Sequence, residues 1–187
     1  MINEIKKRRA IREYRDAEVP QTHVSAIIKA AIMAPSPFNL QPWKFHVITD
    51  GGKKKAIRKI YDDSTRKIQL YKKLCLTRVP IYEQDTSFLQ AATLIVPCYE
   101  TNVSYARDSL AMAVQNLMLE ATSRNIGTVC MGRPTRFKKQ REQMSRVAEL
   151  EKGYEIPYII AAGYSLKPNE QYDVPERKAI EEVMIQF

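Results

Sequence analysis

The sequence predicts an α+β domain, a mixed β-sheet flanked by helices, and three observations carry that prediction. Its 187 residues are 44% apolar and 27% charged, an ordinary globular balance, and the length is enough to bury a core without staples. Helical and strand patterns alternate without clean strand–helix–strand units, which argues against a doubly wound parallel sheet. Residues 105–124, YARDSLAMAVQNLMLEATSR, are apolar almost all round, so this helix is expected inside the core rather than on it. Residues 1–187 read as a single domain, with no repeat and no low-complexity tract.

The elements follow in order. Residues 2–8 read as a short helix leading into a basic cluster. Thr22 is placed to cap a second helix, with Val24, Ile27, Ile28 and Ala31 on one apolar face and Pro35 as its stop. In PWKFHVITD, Trp43, Phe45 and Val47 alternate with Lys44 and His46, a strand pattern closed by Gly51-Gly52. KKKAIRKIYDD reads as a charged surface helix. Residues 62–90 are polar and mixed and read as a lid or variable insertion. ATLIVPCYE at 92–100 is a buried strand, with Pro97 expected near a sheet edge. Gly127 is the expected stop of the 105–124 helix. TVCM at 128–131 is a short strand, 137–150 a basic amphipathic helix, and YEIPYIIAAGYS the last strong strand. The tail, with Ile180, Val183 and Ile185, is free to pair or dock elsewhere.

Several function classes recede. The charged N-terminus has no apolar segment behind it, and no apolar run is long enough to span a bilayer. The three cysteines are odd in number and widely spaced, and there are two histidines, so neither a disulfide framework nor a zinc site is expected. A reduced, cytoplasmic protein is the simplest reading. The net charge of +9 favours anionic partners without saying which.

Four segments are candidates for chemistry. KKRRAIREYR at 6–15 is either a solvated basic stretch or a clamp in which Arg8, Arg9 and Arg12 grip an extended anion, since the guanidinium fork matches phosphate oxygens in pairs. APSPFNLQPWKF at 34–45 holds three of the ten prolines and the one tryptophan. It is either a rigid turn or a rigid template presenting Ser36, Asn39 and Gln41 to the edge of a planar heteroaromatic ring. GTVCMGRP at 127–134 is a strand between turns, or a place where glycine admits a flat ligand close to the backbone. Arg177 alone reads as a surface arginine. No nucleophile–base pair, paired catalytic carboxylates or metal set assembles, so an enzyme built on this chain would lean on a cofactor.

Taken in this order, the segments resemble the nitroreductase family of flavin enzymes. Arg8-Arg9-Ala10-Ile11-Arg12 matches its arginine-rich opening, and APSPFNLQPWKF matches its proline–tryptophan signature. Asp108 with AVQNL matches its central helix, GTVCMG its glycine segment, and Arg177 before EEV its C-terminal arginine. The resemblance implies a three-layer sandwich in an intertwined homodimer with FMN at the interface. It implies that Arg8, Arg9 and Arg177 hold the phosphate and ribityl chain. Ala10 and Arg12 would sit by the flavin, Arg12 at its pyrimidine edge. Pro35, Ser36, Pro37, Asn39 and Gln41 would come from the other subunit, and Cys130, Met131 and Gly132 would offer backbone near the reactive nitrogen. It further implies ping-pong hydride transfer from NADH or NADPH to a nitroaromatic, quinone or activated alkene. Ala10 departs from the usual serine or threonine, removing a hydroxyl. The competing readings are a basic nucleic-acid-binding protein using 6–15 and 133–141, and an FMN-binding protein without efficient turnover. No helix-turn-helix or RNA-binding signature supports the former.

Overall fold

The computed structural model describes residues 1–74, 91–168 and 171–185. A four-strand path β1–β2–β5–β3 forms the middle layer, made of β1 (Trp43–Ile48), β2 (Thr93–Glu100), β3 (Ile126–Met131) and β5 (Ile159–Tyr164). The two-residue β4 (Tyr154–Glu155) pairs with the end of β2. All these ladders are antiparallel; the parallel contribution is one isolated bridge from Ala10 to Thr128.

Strand alternation sorts the core into two slabs. On β2, Leu94, Val96 and Cys98 face one cluster and Ile95 the other; on β5, Ile159 and Ala161 oppose Ile160 and Ala162. The first slab receives Ile57, Ile60 and Tyr61 of helix α3 (Gly51–Lys73) and Met144 of α5 (Lys138–Val147). The second receives Ile27 and Ala31 of α2 (Gln21–Ala31) and Leu110, Ala113, Val114 and Leu117 of α4 (Ala106–Ser123). The result is helix layer, sheet, helix layer, as expected. Short helices α1 (Asn3–Lys7) and α6 (Ile180–Val183) bury nothing within the chain.

Several local expectations are corrected. Thr22 does not cap α2; Pro20 precedes the helix and its carbonyl accepts from His23 and Val24. Gly51-Gly52 opens α3 instead of closing β1, because the Asp50 carboxylate accepts the Lys53 N–H at 2.7 Å. That helix runs on to Lys73, and the buried spacing Ile57, Ile60, Tyr61, Ser64 and Ile68 carries it beyond a surface role. Residues 62–73 of the expected lid or variable insertion continue this helix, and 75–90 lie outside the described residues. Helix α4 ends at Ser123, and Asn125 just past its cap takes the left-handed conformation at φ 59°, so Gly127 is not its stop. It also buries one face only, leaving Ala111 and Met112 exposed. Strand β2 is interior, not an edge. Pro97 sits between its pairing with β5 at Thr93–Ile95 and with β4 at Tyr99–Glu100, where the ladder on that side is interrupted. The last strand divides into β4 and β5 around Pro157.

No helix among the described residues is long and apolar enough to cross a membrane.

Candidate functional site

The N-terminal segment builds one wall of a cleft by riding along β3. After α1 ends on Arg8, whose N–H donates to the Glu4 carbonyl, the chain extends. Ile11 donates its N–H to Thr128 at 3.0 Å, and Tyr14 bridges Ser165. Two glycines allow this seam. A Cβ on Gly127 would lie 2.7 Å from the Ile11 side chain, and one on Gly163 would lie 2.9 Å from the Tyr14 ring. Gly127 thus admits a core side chain, not a flat ligand.

The cleft beside this seam has a volume of about 890 Å³. Arg8, Arg9, Ala10, Arg12, Cys130 and Arg177, all singled out by sequence, line it together. Lys6 adds another cation, and no acidic residue lines the cleft among the described residues. Arg8 is half-buried; loss of water, then the charges of Arg177 and Arg9, push its guanidinium below its ordinary range. Like charges drawn together without a carboxylate form a site that gains energy when an anion enters. Arg9 donates to the carbonyls of Lys6 at 2.6 Å and Arg8 at 2.9 Å, anchoring it at the C-terminal end of α1. Its Nε is buried and makes no hydrogen bond. Arg12 donates to the Ala10 carbonyl at 3.3 Å.

Cys130 faces the cleft, and desolvation pushes its thiol up to about 11, so it presents a neutral wall near pH 7. Met131 is buried behind it, while a Cβ on Gly132 would meet nothing within 4 Å. These two continue the strand end without lining the cleft.

The other predicted residues stand apart. Pro35, Ser36, Pro37, Asn39 and Gln41 lie on the α2–β1 connection and do not line the arginine cleft of their own chain. This loop satisfies itself. The Ser36 hydroxyl accepts the Gln41 N–H at 3.0 Å, Asn39 donates to the Ser36 carbonyl, and Leu40 donates to that of Pro37. Phe38, Asn39 and Gln41 all hold positive φ, at 50°, 57° and 49°. Trp43, 7% exposed, roots the loop in the core as expected. Among the described residues no group of His, Cys, Asp and Glu could hold a metal ion.

Sequence reasoning missed Lys6, Gln115, Met118, Val174 and Pro175, which also line the cleft. Gln115 is an exposed polar residue three positions before Met118 on α4, and that spacing was the available signal.

The fold and the cleft together define a three-layer α+β protein with a slot lined by arginines. The sequence model of the Nitroreductase family matches residues 5–164, and the chain belongs to that family. Iodotyrosine deiodinase of Thermotoga neapolitana is 26% identical over 177 residues, covering 89% of this chain and 89% of that protein. A structure of oxidized iodotyrosine deiodinase bound to FMN and 3-iodo-L-tyrosine superposes with a TM-score of 0.80 at 22% identity, covering 99% of this chain and 97% of that one. An FMN and NADPH-dependent nitroreductase from sphigopyxis sp. strain HMH superposes with a TM-score of 0.73 at 18% identity, covering 98% and 97%. At these identities the two structures speak for the fold.

Proposed function

We propose that this protein is an FMN-dependent oxidoreductase. It draws on NADH or NADPH and reduces a small organic acceptor, working as a homodimer whose two clefts are each completed by the other copy. The observation that carries the reading is the convergence of Arg8, Arg9 and Arg177 on a cleft that no carboxylate lines among the described residues, with the Arg9 Nε buried and unsatisfied. A phosphate monoester brings about −1.5 to −2 charges and several acceptor oxygens to such a cluster.

Bound there, FMN supplies the ability to accept a hydride from a nicotinamide and to hand electrons on to a second molecule. The chain's own residues do the rest. Arg8, Arg9 and Arg177 hold the phosphate end. Arg12 places a fixed cation by the pyrimidine edge, where negative charge develops on reduction, and Ala10 contributes no hydroxyl beside it. Cys130, Met131 and Gly132 offer backbone groups at the end of β3. Pro35, Ser36, Pro37, Asn39 and Gln41 reach in from the second copy, which accounts for a rigid loop that does not line the arginine cleft of its own chain. The exposed Ala111 and Met112 of α4 belong to the same contact between copies. Donor and acceptor use one slot in turn, giving ping-pong kinetics. Quinones, nitroaromatics and activated alkenes are the acceptors to screen; iodinated tyrosine joins them because of the Thermotoga relative.

The test is an absorption spectrum of purified protein after FMN is added and the excess removed by gel filtration, followed by NAD(P)H oxidation with a quinone. Flavin bands at dimer size with turnover support the reading. Flavin without turnover makes it a binding protein, and failure to retain FMN overturns it. Salt-sensitive capture of nucleic acid by the flavin-free protein would then favour the basic surface as the functional one.

A further inference from the structure

The helix layers on the two sides of the sheet differ in charge. Helices α3 and α5 carry thirteen Lys or Arg against three Asp or Glu. That excess is larger than the +9 of the entire chain. Helices α2 and α4 carry two of each and are neutral. No residue of α3 or α5 lines the arginine cleft, so the cleft does not account for this charge.

The two basic helices form one face. Lys53, near the start of α3, meets Glu149 just beyond α5 at 2.8 Å. Near the other end of α3, the Tyr71 ring packs edge-on against Phe137, the residue before α5, with centroids 5.6 Å apart. The helices therefore lie side by side in opposite directions, and the 23 residues of α3 span roughly 35 Å. Along α3, Ile57, Ile60, Ser64 and Ile68 are buried. Lys55, Lys59, Leu70 and Lys73 follow helical spacing on the opposite side and are exposed. On α5, Lys138, Lys139 and Arg146 are exposed while Gln140 and Met144 are buried.

These cations lack counter-charges. Lys55, Lys59, Lys73, Lys138, Lys139 and Arg146 make no ion pair with any described residue. Of the three carboxylates on the two helices, Asp62 pairs with Arg58 and Asp63 with Arg66, which leaves Glu142. Leu70 and Leu74, one turn apart at the end of α3, stand 53% and 57% exposed among them. Lysines beside exposed leucines match an anionic lipid surface, where headgroup phosphates attract the ammonium groups and the leucines enter the acyl boundary. A nucleic acid would give the leucines nothing. The rings that could stack on its bases, Tyr71 and Phe137, are engaged with each other and with Lys67, whose Nζ lies 4.3 Å from the Phe137 centroid.

We propose that the outward face of α3 and α5 docks on an anionic lipid bilayer, with the lysines and Arg146 against the headgroups and Leu70 and Leu74 at the acyl boundary. The contact is peripheral, since no described helix can cross the bilayer. It does not depend on what fills the arginine cleft.

The experiment sediments the full-length protein with vesicles of phosphatidylcholine alone, or of phosphatidylcholine and phosphatidylglycerol in equal parts. Native protein should follow the mixed vesicles and leave the neutral ones. Lys138→Gln combined with Lys139→Gln should weaken binding about 10- to 30-fold, since one lysine near an anionic surface is worth about fivefold. The same pair should flatten the salt dependence. Leu70→Gln should weaken binding severalfold at unchanged salt dependence. Lys29→Gln, exposed on α2, should bind as the native protein does. All these side chains face solvent, so melting temperatures should stay level and separate lost docking from lost folding. Equal binding to both kinds of vesicle overturns the proposal. So does native-like binding by the double lysine variant. An unaffected Leu70→Gln also overturns it, and tighter capture of an RNA duplex than of the vesicles would then make this a nucleic-acid face.

Discussion

The arginine cleft and the proline loop achieve rigidity in opposite ways. In the cleft, Arg8, Arg9 and Arg177 are gathered against their mutual repulsion, and desolvation and like charge both act against the charged form of Arg8. In the loop, the Ser36 hydroxyl and the carbonyls of Ser36 and Pro37 accept from the loop's own backbone, and the unfavourable element is backbone conformation at Phe38, Asn39 and Gln41. One region is electrostatically incomplete and waits for an anion. The other is chemically complete and waits for a surface. A ligand should therefore stabilise the cleft strongly and the loop weakly.

The largest expected effect breaks the cleft and spares the loop. Gly127→Ala would set a Cβ 2.7 Å from Ile11 and push the arginine segment off β3. Overpacking of this kind costs about 1–3 kcal/mol, read from a denaturant midpoint, and FMN retention should fall with it. Next comes Arg8→Ala, which keeps the seam but removes one grip. FMN affinity should drop about 10- to 100-fold by equilibrium dialysis, as for a lost hydrogen bond to a charged group. Lys138→Ala, exposed on α5, should leave it unchanged. Equal affinities would remove the distinction drawn for the cleft.

Ser36→Ala tests the loop alone. It deletes the acceptor of the Gln41 N–H and should lower stability by about 1 kcal/mol in thermal melts. FMN affinity should change less than in Arg8→Ala. The smallest effect concerns the strand behind the loop. Burial holds the His46 imidazole below its ordinary range, against the opposing charges of Glu151 and Glu149, and its Nε2 is buried without a partner. The unfolded chain then binds a proton before the folded one as pH falls below about 6.5. Stability is intact above that pH and declines below it toward the folded value. His46→Gln should flatten that acid slope in melts between pH 7 and pH 5.

The same contrast governs what was readable in the sequence. Arg8, Arg9 and Arg12 were recognisable because charge and spacing travel with the chain, Cys130 and Arg177 only through the family resemblance, and the fold brings all five to one cleft. Gln115 and Met118 were not, because an apolar helix hides which of its faces meets a cavity. Gly127 was misread because a glycine just beyond a helix resembles a stop, while Asn125 had already taken the left-handed turn and the glycine served Ile11 instead. Helix α3 was cut short because the polar run after Ile60 masked the buried spacing of Tyr61, Ser64 and Ile68. The three layers came from the family resemblance, and the alternation on β2 and β5 shows how one sheet serves both slabs. The backbone strain at Phe38 was not, since φ depends on how the surrounding turn closes.

The seam that carries the arginines has a consequence for biosynthesis. Tyr14 donates its hydroxyl to the carbonyls of Ile11 and Ala161, and its ring fills the space beside Gly163. The first arginines therefore leave the ribosome long before the strand that seats them exists, and Arg177 follows later still. During translation this basic segment is an unanchored polycation. The slot comes into being only once Arg177 has emerged, so whatever occupies it is loaded after that point and not while the arginine segment is being made.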